Sequence, residues 1–181
     1  RALVRKILSG DMDSFSILIS YYQNNLFNFL YKLTSCREDA EEILQDVFVR
    51  VYNYLYKYDE KRSFSTWIYK ISVNSFNDYY KRKKKHSLTS YDILPEMKYY
   101  IHDSPESVYE TREDYLRIVS IINGFKSGQR IALVLKCIHG FSYAEIGEIL
   151  RISPENAKMK VCRARQTIGE KFKRLNARVA E

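Results

Sequence analysis

The sequence is poor in the residues that build covalent or metal frameworks. Its three cysteines, Cys36, Cys137 and Cys162, are odd in number, widely spaced and never arranged as Cys-x-x-Cys, which argues against a disulfide framework or a zinc site. Its three histidines, His86, His102 and His139, stand apart with no nucleophile or carboxylate at diagnostic spacing, so no hydrolase triad is supported. The six glycines form no phosphate-cradling loop. No apolar run approaches the roughly 20 residues needed to span a bilayer, and no amino-terminal signal segment is visible. Direct membrane insertion is therefore not expected; a reducing, cytoplasmic setting is, with no cofactor and no metal.

Hydrophobic residues and positive charge are abundant. Of 181 residues 45% are hydrophobic, enough for a buried core, and 30 Lys and Arg against 22 Asp and Glu give a formal charge of +8. Such a balance favours a polyanionic partner, either nucleic acid or an anionic membrane surface. The charge is unevenly spread. Residues 1–85 carry 15 basic and 10 acidic side chains, residues 86–114 carry 2 and 7, and residues 115–181 carry 13 and 5. Two basic lobes joined by an acidic connector suit two DNA-facing modules and a linker with a separate task.

The stretch SYAEIGEILRISPENAKMKVCRAR, Ser142 to Arg165, holds two helix starts, a short turn and a basic second helix. Ser142 and Glu145 have the spacing of a capping box. Ile146, Ile149 and Leu150 recur on one helical face, and Gly147 is expected to leave room for a second helix to cross closely at Ala157. Ser153 is a cap for that second helix, Pro154 suits its first position, and Glu155 complements its dipole. Lys158, Lys160, Arg163 and Arg165 follow. This is the pattern of a helix-turn-helix with its second helix in a major groove. A surface helix with merely solvated charges would not require the caps and small residues to coincide. Arg151 stands where a glycine often ends the first helix, and a strained positive φ is expected there.

In the first lobe, Asp13 to Tyr31 places Phe15, Leu18, Ile19, Tyr22, Leu26, Phe29 and Leu30 at helical spacing, as one helix or a helix pair. Arg37 to Tyr56 carries a buried stripe of Ala40, Ile43, Leu44, Val47, Phe48, Val51 and Leu55. Glu41, Glu42, Gln45, Asp46 and Arg50 lie on its other faces. They suit a protein-binding surface better than a metal or acid/base site, since no histidine is near. YDEKRSFS, Tyr58 to Ser65, breaks the periodicity, and a further helix from Thr66 to Lys85 is expected, capped by Ser65 or Thr66. Ile68, Ile71, Phe76 and Tyr79 anchor it. Lys70, Asn74, Asn77, Asp78 and Tyr80 face outward beside Lys81 to Lys85, a mixture that suits single-stranded DNA. Trp67 is read as core before stacking platform.

His86 to Ser104 has little periodicity and reads as a linker, which places the domain boundary there. Ser104 and Pro105 open a helix to about Asn123, with Val108, Tyr115, Ile118, Val119 and Ile122 inward. Gly124 to Gly128 turns the chain. Ile131, Leu133, Val134, Leu135 and Ile138 build another helix, ended by Gly140. The expected fold is all-α: two small helical domains, 1–85 and 105–181, joined by a flexible acidic linker, 86–104, the second domain a helix-turn-helix.

Two blocks, CREDAEEILQDVFVRVYNYL followed by FSTWIYKISVNSFNDYYKRKKK, and GFSYAEIGEILRISPENAKMKVCRAR, resemble the extracytoplasmic-function sigma factors of bacterial RNA polymerase, within the sigma-70 family. Their order and separation are similar to that family's region 2, linker and region 4. The resemblance implies a promoter-specificity subunit that binds core polymerase, recognises minus-thirty-five DNA and melts minus-ten DNA. It implies that Gln45, Asp46 and Arg50 meet the β′ clamp helices and that the second domain meets the β flap. Lys61, Arg62, Ser63, Phe64 and Ser65, with Lys70, Asn74, Asp78 and Lys81, would open and read the minus-ten element and capture an unstacked base. Lys158, Met159, Cys162 and Arg163 would read the minus-thirty-five element, with Lys160 and Arg165 on phosphates. The linker would thread toward the active-site and RNA-exit channels. An inhibitory anti-sigma partner, often membrane-anchored in this family, is also implied. Two departures stand out. Phe125 and Lys126 replace the family's usual Leu-Pro before the second helix of region 4, and Met159 and Cys162 offer apolar contact more than hydrogen bonds to bases.

Two other functions compete. A self-sufficient helix-turn-helix regulator would bind paired duplex half-sites alone. A DNA-processing enzyme would use Glu41, Glu42 or Asp46 with a divalent metal. Neither accounts for the FSTW block or the acidic connector.

Overall fold

The computed structural model describes residues 2–86 and 108–179, with side chains over 2–84 and 114–174. Among the described residues the regular structure is all helical, with no strand. It divides into two compact units, Arg1–Met97 and Lys98–Glu181. The linker expected over 86–104, apart from His86, and the helix start expected at Ser104 and Pro105 lie outside the described residues.

The first unit holds α1 (Ala2–Leu8), α2 (Met12–Thr34), α3 (Arg37–Tyr54), a 3-10 turn (Leu55–Lys57) and α4 (Phe64–His86). The Asp13 to Tyr31 stretch is one helix. Asp11 caps it by accepting from the Ser14 amide at 3.1 Å, and Ser35 ends it with φ 54°. A bond from the Ser14 hydroxyl, and then the one from its amide, hold the Asp11 carboxyl below its ordinary range. α2 packs on α3 and α4, and α3 packs on α4. Leu26, Phe29, Leu30 and Leu33 of α2, Ile43, Val47 and Val51 of α3, and Ile68, Val73 and Phe76 of α4 form the core. Each fully buried Leu, Ile or Phe contributes about 1.5–3 kcal/mol relative to exposure.

Two boundaries differ from expectation. α3 tightens into a 3-10 turn at Leu55 instead of continuing to Tyr56. α4 starts at Phe64, two residues early, because Ser63 rather than Ser65 or Thr66 is the cap: its Oγ accepts the Thr66 amide at 3.3 Å.

The second unit holds α5 (Val108–Asn123), α6 (Ser127–Cys137), α7 (Tyr143–Leu150) and α8 (Pro154–Val179). α8 is its spine, packed against α5, α6 and α7. Ile131 and Leu135 of α6, Ile146 and Ile149 of α7, and Ala157, Val161 and Ala164 of α8 are buried. Lys126, at the position that departs from Leu-Pro, precedes α6 in an extended conformation and gives it no side-chain cap. α6 ends at Cys137, and Gly140, with φ 73°, turns the chain toward α7.

Candidate nucleic-acid interface

The α7–α8 turn is set by local chemistry. The Glu145 amide donates to Ser142 Oγ at 3.2 Å, and the Ser142 amide donates to Glu145 Oε2 at 2.9 Å, closing the capping box. Arg151 takes the left-handed conformation expected of it, with φ 56° and ψ 46°. Ser153 Oγ accepts the Asn156 amide at 3.2 Å and starts α8. Gly147 is required for a reason other than the crossing with Ala157. A Cβ there would meet the Ile152 carbonyl oxygen at 2.8 Å and the Pro154 nitrogen at 3.3 Å, so the backbone of the turn and of the first residue of α8, not Ala157, fills the space.

α8 separates its polar residues by direction. Ala157, Val161 and Ala164 face the core, while Lys158, Met159, Cys162 and Arg163 are exposed together. Lys160 is half-buried and leans over the start of α6, its Nζ 3.8 Å from where a Gly128 Cβ would lie. Arg165 reaches the other end of α6, its Nη2 donating to Cys137 Sγ at 3.3 Å. The two residues expected on phosphates thus lie beside the two ends of α6, and the four expected on bases are exposed. Four exposed side chains on one helical face combine positive charge with apolar surface.

In the first unit, Lys61, Arg62 and Ser63 are exposed, whereas Phe64 and Ser65 are half-buried. The Phe64 ring lies 5.0 Å from Tyr58, 5.3 Å from Trp67 and 5.5 Å from Tyr22, centroid to centroid. Ser65 Oγ lies 3.1 Å from the Tyr22 hydroxyl. Phe64 and Ser65 therefore anchor the end of the loop to α2, with the half-buried Trp67 against Phe64 and Tyr58, leaving Lys61 and Arg62 exposed and Ser63 exposed at the cap of α4. On α4, Lys70, Asn74 and Asp78 are half-buried and Lys81 is exposed.

Gln45 is exposed on α3, and Asp46 beside it pairs with Arg50, Nε to Oδ2 at 2.9 Å. Arg50 also donates to Asp78 of α4 at 2.8 Å. Residues expected on a protein-binding face and on a DNA-binding face thus meet at one guanidinium. Glu41 is paired with Arg37 at 2.8 Å. Among the described residues, no group of three or more His, Cys, Asp or Glu could hold a metal ion.

One cluster escaped the sequence reading. Asp39, 6% exposed, accepts from the Tyr79 hydroxyl at 2.7 Å and from Lys83 Nζ at 2.8 Å. Burial, and then the bond to Asp39, push the Tyr79 phenol above its ordinary range. The available signal was the spacing of Asp39, Asp46 and Arg50, which repeats every seven and then four residues beside the apolar stripe and so marks the edge of α3 that meets α4.

Residues 18–86 match the family model for sigma-70 region 2, and residues 115–168 match that for sigma-70 region 4. The chain is 27% identical over 189 residues to the ECF RNA polymerase sigma factor SigW of Bacillus subtilis, covering 95% of this chain and 96% of that one. It is 26% identical to the ECF RNA polymerase sigma-E factor of Haemophilus influenzae, covering 97% and 96%. Its fold is similar to RpoE of Bartonella quintana, solved with the anti-sigma factor NepR, at TM-score 0.73 and 21% identity over 88% of this chain and 96% of that one. It is also similar to CnrH, solved with the cytosolic domain of CnrY, at TM-score 0.69 and 21% identity over 93% and 94%.

Proposed function

Because the chain belongs to the extracytoplasmic-function group of the sigma-70 family of RNA polymerase sigma factors, we propose that it directs core polymerase to its own class of promoter by dividing the task between its two units. Residues 1–85 bind the β′ clamp helices through Gln45, Asp46 and Arg50. The same unit holds the melted minus-ten strand with Lys61, Arg62, Ser63, Lys70, Asn74, Asp78 and Lys81, while Phe64 and Ser65 steady the loop. Residues 105–181 meet the β flap and read minus-thirty-five duplex with Lys158, Met159, Cys162 and Arg163, Lys160 and Arg165 holding phosphates. Residues 86–104 join the two along the polymerase channels. The protein supplies no catalytic group; it positions DNA for the polymerase's own chemistry.

The observation that carries this reading is the arrangement of α8, where four side chains face outward together on a capped helix-turn-helix. An anti-sigma factor is the expected inhibitor, since both structural relatives were solved with a partner of that kind or a cytosolic domain, and a membrane anchor would belong to that inhibitor. Among the described residues of this chain no helix is long and apolar enough to cross a membrane. Cytoplasmic action follows from a polymerase partner.

Co-purification with core RNA polymerase, followed by run-off transcription on fragmented genomic DNA of the source bacterium, tests the proposal. Binding with new, discrete transcripts is the expected result. Failure to bind core, with a specific duplex footprint by the protein alone, would establish the self-sufficient regulator instead.

A further inference from the structure

Arg5, on α1, reaches the loop that precedes α4 and grips it with two bonds. Its Nε donates to Glu60 Oε1 at 2.9 Å and its Nη2 to Glu60 Oε2 at 2.6 Å. Two-pronged pairing of a planar guanidinium with a carboxylate fixes direction as well as distance. α1 gives Arg5 a steady base, because Val4 and Ile7 are buried and the helix packs on α2 and on the 3-10 turn. The loop has bonds of its own around Glu60. The Lys61 amide donates to Asp59 Oδ1 at 3.0 Å, the Arg62 amide to the Asp59 carbonyl at 2.9 Å, and the Tyr58 hydroxyl to the Arg62 carbonyl at 2.7 Å. Glu60 therefore sits inside a tight turn whose next three side chains are exposed. α1 precedes residue 18, where the match to region 2 begins.

We propose that Arg5 is a positioning residue for minus-ten recognition: by holding Glu60 it fixes the turn over 59–63 in the shape that presents Lys61, Arg62 and Ser63 to the unpaired strand. This rests on the assignment of that loop to minus-ten DNA under the proposed function. The Arg5 side chain is 72% exposed and that of Glu60 32%, and an exposed pair contributes little to global stability. Its effect lies instead in the population of one loop shape. A turn that must order itself on the strand binds more weakly than one ordered beforehand. Lysine at position 5 would keep the charge and lose the fork, so it is only a partial substitute.

The full-length chain carrying Arg5→Glu, Glu60→Arg, the two together, or Arg5→Lys provides the test. Amide hydrogen exchange at Lys61 and Arg62 in the free protein reads the turn itself. Initiation by the reconstituted holoenzyme, on its own promoter with each base substituted in turn across the minus-ten element, reads what the turn does. Each single charge reversal should speed exchange at both amides by about two- to fivefold and reduce discrimination at the captured base by a similar factor. Affinity for core polymerase, affinity for minus-thirty-five duplex and the unfolding midpoint should not move. The combined variant should restore both readouts, and Arg5→Lys should fall between. Unchanged exchange in the single variants, or a combined variant as impaired as its parents, would overturn the inference while leaving promoter recognition intact. A wild-type holoenzyme indifferent to the bases of the minus-ten element would overturn the loop's assignment and this inference with it.

Discussion

Arg50 Nη1 lies 2.8 Å from Asp78 Oδ2, a bond between α3 and α4 across 28 positions of sequence. The same guanidinium pairs with Asp46 one turn earlier on its own helix. Asp78 is 45% exposed and Arg50 27%, so solvent screens the pair and its worth is modest. Arg50→Met and Asp78→Asn should each lower stability in urea unfolding by about 0.5–1 kcal/mol. Combined, they should cost less than the two added, because the second change removes a partner already lost. Full additivity would show that the bond contributes nothing.

Gly147 and Gly169 make opposite forecasts for the same substitution. At Gly147 the new methyl would meet the Ile152 carbonyl at 2.8 Å, and backbone cannot swing aside as a side chain can. Gly147→Ala should cost about 1–3 kcal/mol and weaken duplex binding by displacing the start of α8. At Gly169, within α8, nothing lies within 4 Å of the added carbon, so Gly169→Ala should stabilise by up to about 1 kcal/mol. Thermal unfolding of the two variants side by side decides both.

His139 gives the second unit a sensitivity to acid. Burial lowers its pKa below the ordinary value of 6.5, so the unfolded chain takes up the proton more readily than the folded one. The stability due to the neutral imidazole is fully present above about pH 6.5 and is lost as pH falls toward the folded value. Between pH 7 and 5.5 the unfolding midpoint should decline, and His139→Gln should flatten that decline. An equal slope in both proteins would assign the effect elsewhere.

Arg163 and Lys160 should fail differently. Arg163 is exposed among the outward residues, whereas Lys160 leans on the start of α6. Arg163→Ala should remove about 1–3 kcal/mol of preference for the correct base at one position. Lys160→Ala should weaken all sequences alike and reduce the salt slope by about 1. Binding to a set of single-base variants at two salt concentrations separates the patterns. Uniform losses for both would place Arg163 on phosphate.

How far these features could be read from the sequence follows the span of each interaction. The capping box at Ser142 and the left-handed Arg151 involve neighbours within one turn of chain, and both were legible because the chemistry is local. The apolar stripes of α2 and α3 were equally plain, since burial imposes periodicity. The start of α4 is ambiguous in the sequence because Ser63, Ser65 and Thr66 are all competent caps, and only the packing of Phe64 against Tyr58 and Tyr22 selects the first. The need for Gly147 was legible, but its neighbour was not, because turn backbone leaves no signature in side-chain identity. Arg5 to Glu60 spans 55 positions and Asp39 to Tyr79 spans 40, and polar side chains that meet at such distances look like ordinary solvated ones until the chain is folded.

If α4 holds single-stranded DNA as proposed, the bond between Asp39 and Lys83 bears on how many counterions that binding can release. Lys83 sits in the cationic end of α4, but part of its charge is already answered inside the protein, by a carboxylate that is almost wholly buried. A phosphate approaching that end finds fewer unneutralised cations than the sequence shows. The salt dependence of single-strand binding should reflect this: Lys81→Ala should flatten the slope by about 0.7, the increment for one phosphate on a single strand, while Lys83→Ala leaves it nearly unchanged. Under the proposed function, Asp39 thereby sets how strongly ionic strength tunes the hold of α4 on single-stranded DNA.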